Sequence, residues 1–337
     1  MDDQKTNQSA STDWNKVVKR LSVIVGIGFL VNIIIVVFLS ESFDPTIFLT
    51  FKPEYILLAF IIAVVPIYLH GYTLKIWGDF FKYNFNFKEA VNVSATSLLG
   101  SAVTPTMFGG GPLKLGLLMM NGFRMGQAAA VVTIGSIQDI IAFIVLVISS
   151  IYLSETVDMS MLFDKIVHLD FNLIQYLIIA GVLIGGILIA KIVIARSTFG
   201  MKIIRAIRRT FIDFKASYQL IIQNGKLYFL WTTVINIIRW VSIYAILMIL
   251  VAGLGISKID YLEIWSLQWI VFSGMTFTPL PGGAGGAEAT FYFVYKSFFS
   301  EDIIVGLILV WRFFEAYFRL IFAALLVVFF SRKKIKA

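Results

Sequence analysis

Thr104-Pro-Thr-Met-Phe-Gly-Gly-Gly-Pro112 and Thr278-Pro-Leu-Pro-Gly-Gly-Ala-Gly-Gly286 are two similar stretches that interrupt apolar sequence, and they begin 174 residues apart. Thr-Pro followed by a glycine cluster ends an α-helix, because proline lacks a backbone donor and glycine is a poor helix former. Two breaks at corresponding positions of an apolar chain are typical of a membrane protein built from an inverted repeat, with its binding site between the breaks.

The composition predicts a polytopic membrane protein. Of the 337 residues 59% are hydrophobic and only 14% are charged, and the mean hydropathy is +0.88, whereas a soluble domain carries about 25% charged residues. The chain has no cysteine, which excludes disulfides and thiolate chemistry. We expect its two histidines, His70 and His168, to be interfacial or core residues, so no metal site and no other cofactor is predicted.

Six apolar runs are long enough for a membrane helix, which needs about 20 residues. We interpret the first run, 21–39, as a retained membrane helix rather than a cleaved signal peptide. Two further apolar regions, 89–120 and 262–299, are divided by the breaks into short halves. Broken backbone at membrane depth is stable only inside protein or beside a wet cavity, so we favour re-entrant hairpins over short tilted spans. The predicted fold is therefore all-α and polytopic, with two re-entrant broken-helix hairpins and spans near 21–39, 54–74, 127–153, 173–195, 227–253 and 303–330.

The distribution of lysine and arginine predicts the topology. Segments 1–20, 75–88, 121–126, 196–226 and 331–337 carry 19 of these residues, while the other loops carry three: Lys52, Lys165 and Lys258. Positive residues are retained inside, so both termini are expected to be cytoplasmic, in the cell membrane. One domain, 21–330, would then contain two inverted repeats, 21–153 and 173–330, with a tail on either side, 1–20 and 331–337.

The basic segment 196–226 places apolar residues at helical spacing opposite its arginines. This pattern predicts an amphipathic helix on the anionic cytoplasmic leaflet; the alternative is a plain topology signal. Because topology explains the net charge of +8, nucleic acid is not an expected partner. The apolar residues are Phe199, Ile203, Ile207, Phe211 and Phe214.

Charged residues lie within the predicted membrane segments, where each costs about 2.5–3.5 kcal/mol on insertion scales. They either pair with one another in a structural ladder or bind substrate. Cations outnumber carboxylates by four to three, which favours an anionic headgroup over a cation. They are Lys114, Asp139, Arg239, Glu288, Arg312, Glu315 and Arg319.

The breaks themselves are suited to binding anions. Half-helices that begin near Pro112 and Ala287 would present free N–H groups beside glycines that leave room for a ligand; a hinge or close-packing role for the glycines is the alternative. The predicted substrate-binding residues at the breaks are Thr104, Pro105, Gly110, Gly111, Lys114, Thr278, Pro279, Pro281, Gly282, Gly283, Gly285, Gly286 and Glu288. Those on the long helices are Asp139, Arg239, Arg312, Glu315 and Arg319.

The two breaks, together with ILVWRFFEAYF in the last helix, resemble the flippase-like, lysylphosphatidylglycerol-synthase transmembrane family over about residues 20–330. Family features here are Pro279-Leu-Pro-Gly-Gly-Ala-Gly-Gly-Ala-Glu288 and Trp311-Arg312. The first break departs from the family, with Gly111 before its proline and Lys114 where arginine or another polar residue is usual. Any substrate preference is expected to lie at this first break.

The resemblance implies translocation of an anionic or modified phospholipid, such as an aminoacylated one, with membrane phospholipids as partners and a separate enzyme that makes the lipid. The chain ends at Ala337 without a synthase domain, so we expect a stand-alone membrane module rather than an enzyme. Two alternatives stay open: a secondary transporter of a small anionic or polyprenyl-linked substrate, and the membrane component of a phosphatidylglycerol lysyltransferase system. No catalytic motif supports the second, and the oligomeric state is left open.

Overall fold

A computed structural model describes residues 45–104, 109–153, 198–256, 259–278 and 280–334, and all regular structure in these ranges is helical. The predicted spans 21–39 and 173–195, the tail 1–20 and the end of the chain from 335 lie outside the described residues. The helices are α1 (Pro53–Phe80), α2 (Phe87–Ala102), α3 (Gly110–Met120), α4 (Met125–Leu153), α5 (Thr198–Asn224), α6 (Lys226–Leu254), α7 (Tyr261–Ser266), α8 (Gln268–Phe277), α9 (Gly286–Tyr295), α10 (Glu301–Arg312) and α11 (Arg319–Lys334). Short 3₁₀ turns cover Pro45–Leu49 and Pro281–Gly283, and a π-helical segment, Phe313–Phe318, joins α10 to α11.

Four helices are long and apolar enough to cross a membrane: Pro53–Phe80, Met125–Leu153, Lys226–Leu254 and Glu301–Phe330. They coincide with the four predicted spans that fall in the described ranges. Local sequence explains where the helices begin. A proline occupies the first turn of α1, where its missing N–H costs nothing, and Asn86 exchanges hydrogen bonds with Glu89 in a capping box at the start of α2.

Both predicted breaks separate short helices. At the first break (104–112), α2 ends at Ala102 and α3 begins at Gly110. At the second break (278–286), α8 ends at Phe277 and α9 begins at Gly286. The order of a long helix, a broken pair and a long helix thus occurs twice along the described chain.

The core divides into clusters that leave a gap between them. One large apolar cluster joins α1 and α6 to the α8–α10 region, and a second joins α1 to α2, α3 and α4. Helices α1 and α2 approach closely, since a Cβ on Gly71 would lie 2.7 Å from the Val91 side chain. Between the clusters, polar side chains of α1, α2, α3, α4, α6 and α11 surround the candidate site.

The basic segment forms the predicted helix, α5, from Thr198 to Asn224. It packs on α4, where Gly126 lies against the backbone of Asp213 and Phe214. The predicted apolar face is divided: Phe214 packs into the second cluster, whereas the Phe211 side chain is exposed. Part of that face therefore contacts protein.

Candidate functional site

A cavity of about 860 Å³ lies among α1, α2, α3, α4, α6, α8 and α11. Its volume is within the range of about 300–1,000 Å³ that is usual for small-molecule sites. Residues from four of these helices, α3, α4, α6 and α11, were predicted as site residues from the sequence alone. The structure brings together Gly110, Gly111, Lys114, Asp139, Arg239 and Arg319 around this cavity.

The start of α3 faces the cavity with little side-chain cover. A Cβ on Gly111 would meet nothing within 4 Å, so this glycine borders open space. Gly110 instead packs against the Ser101 hydroxyl, where no Cβ would fit. Thr104, at the end of the preceding turn, accepts a hydrogen bond from the Gly109 N–H at 2.8 Å. Thr104 therefore shapes the break, and the helix start remains open to a ligand.

Lys114 lies one turn into α3 and lines the cavity. Within the described residues, its ammonium makes no hydrogen bond or ion pair at contact distance, although Asp139 and Arg239 are close enough to interact electrostatically. A cation in this position adds to the partial positive charge of the helix N-terminus. The first break is consequently an electropositive part of the cavity.

Asp139 and Arg239 form an ion pair across the cavity wall, between α4 and α6. The same carboxylate oxygen, Oδ1, accepts hydrogen bonds from Asn236 at 3.0 Å and from the Trp240 indole at 3.1 Å. Arg239 Nε also donates to Asn236 at 2.8 Å, and the guanidinium lies 5.1 Å from the Trp240 ring centroid. The pair is well supported, yet the Asp139 side chain is still 44% exposed.

Arg319 reaches the cavity from the beginning of α11. Only 8% of the residue is exposed. One guanidinium nitrogen, Nη1, donates to the backbone oxygen of Glu315 at 3.0 Å and to its carboxylate at 3.3 Å. The Nε–H is buried without a hydrogen-bond partner. An unmatched buried donor costs about 1–3 kcal/mol, so an acceptor brought to this nitrogen would stabilise it.

His70 lines the cavity, although sequence reasoning assigned it no role. It lies in the second half of α1, and its Nδ1 is 2.9 Å from the Ser94 hydroxyl. Serines on one face of α2 (Ser94, Ser97 and Ser101) also border the space. A histidine inside an apolar span and serines at intervals of three and four residues were the signals that could have identified this polar wall.

A different arrangement lies next to the second break. It is a buried ion-pair network of Glu288, Arg312, Glu315 and Arg319. The Arg312 guanidinium contacts Glu288 at 2.8 Å and Glu315 at 2.9 Å. Its third nitrogen donates to the Gly282 carbonyl at 2.6 Å. Glu288 is fully buried and also accepts from the Gly285 N–H at 2.7 Å. The alternative in which the intramembrane charges pair with one another thus applies to these residues. Of the four, only Arg319 lines the cavity.

The glycines at the second break allow unusual backbone angles and close packing, and they do not create open space for a ligand. Gly282, Gly283 and Gly285 have positive φ angles, which residues with a side chain rarely adopt. A Cβ on Gly286 would collide with the Thr278 hydroxyl, which itself donates to the Gly274 carbonyl at 2.7 Å. The close-packing alternative therefore fits this break. Pro105 and Pro279 lie outside the described residues, and Pro281 begins the 3₁₀ turn.

The charge of the cavity is positive among the residues that the structure describes. Lys114, Arg239 and Arg319 line it together with a single carboxylate, that of Asp139. The helix start at Gly110–Gly111 contributes further partial positive charge. Phosphate oxygens match such a set of N–H donors, since charge-assisted hydrogen bonds to them are short and strong. The arrangement is chemically suited to a phosphate-bearing anion.

Two comparisons with known proteins fit these observations. The chain is similar over 313 residues to a UPF0104 membrane protein of Archaeoglobus fulgidus, at 22% identity, covering 89% of this chain and 94% of the relative. The profile of the family described as "Lysylphosphatidylglycerol synthase TM region" matches residues 20–323. That match contains both breaks and the cavity, and it confirms the predicted family: the chain belongs to the lysylphosphatidylglycerol synthase transmembrane region family.

Proposed function

We propose that this protein moves anionic phospholipids between the two leaflets of a membrane, with the headgroup passing through the cavity while the acyl chains stay in lipid. The observation that carries the proposal is the cavity at the first break, where three cationic side chains face one carboxylate. A charge of this kind is expensive in a membrane protein unless it has a partner. A lipid phosphate supplies that partner.

The contacts available in the cavity suit a phosphate. Lys114 is without an ion pair at contact distance among the described residues, and Arg319 Nε–H is a buried donor without an acceptor. The open space beside Gly111 gives a ligand access to the start of α3. A phosphate placed there would accept from Lys114 and the helix start, and Arg239 and Arg319 line the same cavity.

The arrangement of helices supports a transport topology. We infer that the two broken pairs, α2–α3 and α8–α9, are re-entrant hairpins that enter from opposite sides. Corresponding helices α1 and α6, and likewise α4 and α10, begin 173 to 176 residues apart. With the sequence segments 21–39 and 173–195 as further spans, the lysine and arginine distribution supports a cell-membrane protein with both termini in the cytoplasm. The basic helix α5 would then lie at the cytoplasmic leaflet.

Family membership supports a lipid as the substrate. The family is described by the transmembrane region of lysylphosphatidylglycerol synthase, a name that refers to a phospholipid. We propose that a separate enzyme makes the lipid that this chain moves. No ATP-binding motif occurs in the sequence, so a gradient, a partner or consumption of the lipid would set the direction.

A leaflet-protection assay tests the proposal. Purified protein is reconstituted into liposomes that contain phosphatidylglycerol with a fluorophore on one acyl chain, and a membrane-impermeant reductant then bleaches the outer leaflet. The proposal predicts that the protected inner-leaflet signal disappears with wild-type protein. Lys114→Gln is expected to slow this loss by about 10-fold to 100-fold, because hydrogen bonds to charged groups contribute about 1.5–3 kcal/mol.

Matched variants control for folding and for charge. Lys296→Gln removes an exposed lysine outside the cavity, and it should leave the rate unchanged. Gly111→Leu fills the open space, whereas Gly116→Leu alters an equally uncrowded position that is absent from the cavity lining. The first should stop transport and the second should not. Protection that persists with well-incorporated wild-type protein would refute the proposal, and uptake of a water-soluble phosphate ester in its place would favour the solute-transporter alternative.

A further inference from the structure

We infer that the preferred headgroup is a phosphodiester with a single negative charge and an uncharged hydroxyl, and that His70 and Trp77 recognise this hydroxyl by hydrogen bonds. This inference rests on the proposed function, because it names the class of lipid that the same cavity takes. Two independent observations carry it: the hydrogen-bonding state of His70 with its neighbour Trp77, and the charge balance around the cavity.

The hydrogen bonds of Ser94 fix the roles of the His70 ring nitrogens. Ser94 Oγ lies 2.9 Å from the Ile67 carbonyl oxygen, which can only accept, so the single hydroxyl proton of Ser94 is directed there. Ser94 Oγ must then accept from His70 Nδ1, also at 2.9 Å. A neutral imidazole that donates from Nδ1 has a bare Nε2. His70 therefore offers the cavity an acceptor.

A small inner pocket is lined both by His70 and by a residue with an unmatched donor, Trp77. His70 and Trp77 both line a space of about 20 Å³ that adjoins the main cavity, and Lys114, Asp139 and Arg239 line both spaces. Trp77 is 2% exposed, and its indole N–H is buried without a partner. The volume suffices for one water-sized group, which needs roughly 10–15 Å³. A group placed there should accept from Trp77 and donate to His70.

A hydroxyl satisfies both atoms, whereas an ammonium satisfies only one. The hydroxyl oxygen accepts from the indole N–H while its proton goes to His70 Nε2. An ammonium has no lone pair for Trp77. It would also bring a positive charge next to Lys114 and Arg239, and the carboxylate that lines this pocket, Asp139, is already paired with Arg239. The inner pocket therefore selects for a hydroxyl on the headgroup.

The charge balance points to a monoanion. The cavity and the buried ion-pair network together contain four cations and three carboxylates, a net charge of +1. One phosphodiester brings this sum to zero. A zwitterionic headgroup leaves it at +1, and a doubly charged phosphomonoester makes it negative. The neutral sum is favoured because unbalanced charge is costly in a low-dielectric setting.

Three lipids with the same acyl fluorophore separate these two features in the liposome assay. Phosphatidylglycerol has one negative charge and hydroxyls, phosphatidylethanol has the same charge and no hydroxyl, and phosphatidylethanolamine is a zwitterion. We expect phosphatidylglycerol to move about three- to tenfold faster than phosphatidylethanol, as one hydrogen bond allows, and phosphatidylethanolamine to be slowest. In Trp77→Phe and His70→Phe protein, the difference in rate between phosphatidylglycerol and phosphatidylethanol should disappear.

Each contrary result overturns a defined part. Equal rates for phosphatidylglycerol and phosphatidylethanol in the wild type would mean that water alone fills the inner pocket and that the hydroxyl is not read. A phosphatidylethanolamine rate equal to or above that of phosphatidylethanol would overturn the charge argument. If no lipid moves, the proposed function fails, and the inference is then decided by calorimetric binding of short-chain forms of the same lipids. Tighter binding of phosphatidylglycerol than of the other two supports it, and equal binding refutes it.

Discussion

The two breaks have nearly the same sequence features and different structural roles. Each contains Thr-Pro and a glycine cluster, and each separates two short helices. The residue in the first turn or two after the break distinguishes them: Lys114 faces the cavity, whereas Glu288 is fully buried and bonded to Arg312. The motif thus determines where the helix ends, and the charged residue that follows determines whether the new helix start is open to a ligand.

The glycines show the same contrast. At the first break Gly111 borders open space. At the second, three glycines have positive φ and Gly286 is in close contact with Thr278. Arg319 connects the two regions, since it contacts Glu315 through Nη1 and lines the cavity. Variants at matching positions of the two breaks should therefore differ in whether they lose stability or transport.

The largest expected effect is the loss of folded protein when the buried network is broken. Glu288→Ala leaves Arg312 and Arg319 to share the single carboxylate of Glu315, and breaking a buried pair from one side costs about 3–5 kcal/mol. Detergent-solubilised protein should unfold at a much lower temperature, as measured by size-exclusion chromatography after heating. The double variant Glu288→Leu with Arg312→Met should recover much of that loss, because removing both charges removes the mismatch. A Glu288→Ala protein as stable as wild type would contradict the role given to the second break.

Removal of Lys114 should have the opposite effect, since it should reduce lipid movement without reducing stability. Lys114→Met deletes a cation without an ion pair at contact distance among the described residues, so the unfolding temperature should be unchanged or raised. Lipid movement in liposomes should fall by about tenfold or more. Both quantities are measured on one preparation, with Lys296→Met as the control. A large fall in stability would show that Lys114 is part of the structural framework instead.

A Cβ added at matching glycines should distinguish tight packing from open space. Gly286→Ala pushes a methyl group into Thr278, and overpacking of this kind costs about 1–3 kcal/mol. Gly111→Ala meets no atom within 4 Å and gains helix propensity, so its stability should be unchanged or raised by about 0.5–1 kcal/mol. Thermal unfolding in detergent measures both. Equal destabilisation of the two variants would remove the contrast between the breaks.

The smallest expected difference lies in the two threonines. Thr104 Oγ1 accepts from the N–H of Gly109, the residue just before α3, and losing a hydrogen bond of this kind costs about 0.5–1.5 kcal/mol. Thr278 donates to the carbonyl four residues earlier, which already belongs to a helix, so its loss should cost less. Thr104→Val is therefore expected to unfold at a lower temperature than Thr278→Val. The reverse order would argue against a stabilising Thr104–Gly109 hydrogen bond at the first break.

Sequence patterns predicted the helical framework well. The apolar runs 54–74, 127–153, 227–253 and 303–330 correspond to helices that begin within two residues of the predicted starts. Both breaks are found where proline and glycine occur. These features are local consequences of hydropathy and backbone chemistry, which a single sequence contains.

The sequence could not predict which charged residues pair with one another, because the pairing depends on contacts between distant parts of the chain. Asp139 pairs with Arg239, 100 residues away, and Arg312 pairs with Glu288, 24 residues away on another helix. The sequence indicated a surplus of one cation but not which cation lacked an ion pair. His70 was overlooked because its role follows from Ser94, a residue on another helix.

The most direct test of the account measures binding at both breaks with one ligand. Calorimetric titration of a short-chain phosphatidylglycerol into purified protein is compared for wild type, Lys114→Gln and Arg312→Lys, using only folded, monodisperse fractions. The account predicts at least about tenfold weaker binding for Lys114→Gln, and an affinity within about twofold of wild type for Arg312→Lys, where the positive charge of the buried network is kept. Unchanged binding by Lys114→Gln together with lost binding by Arg312→Lys would place the ligand at the second break and contradict the account.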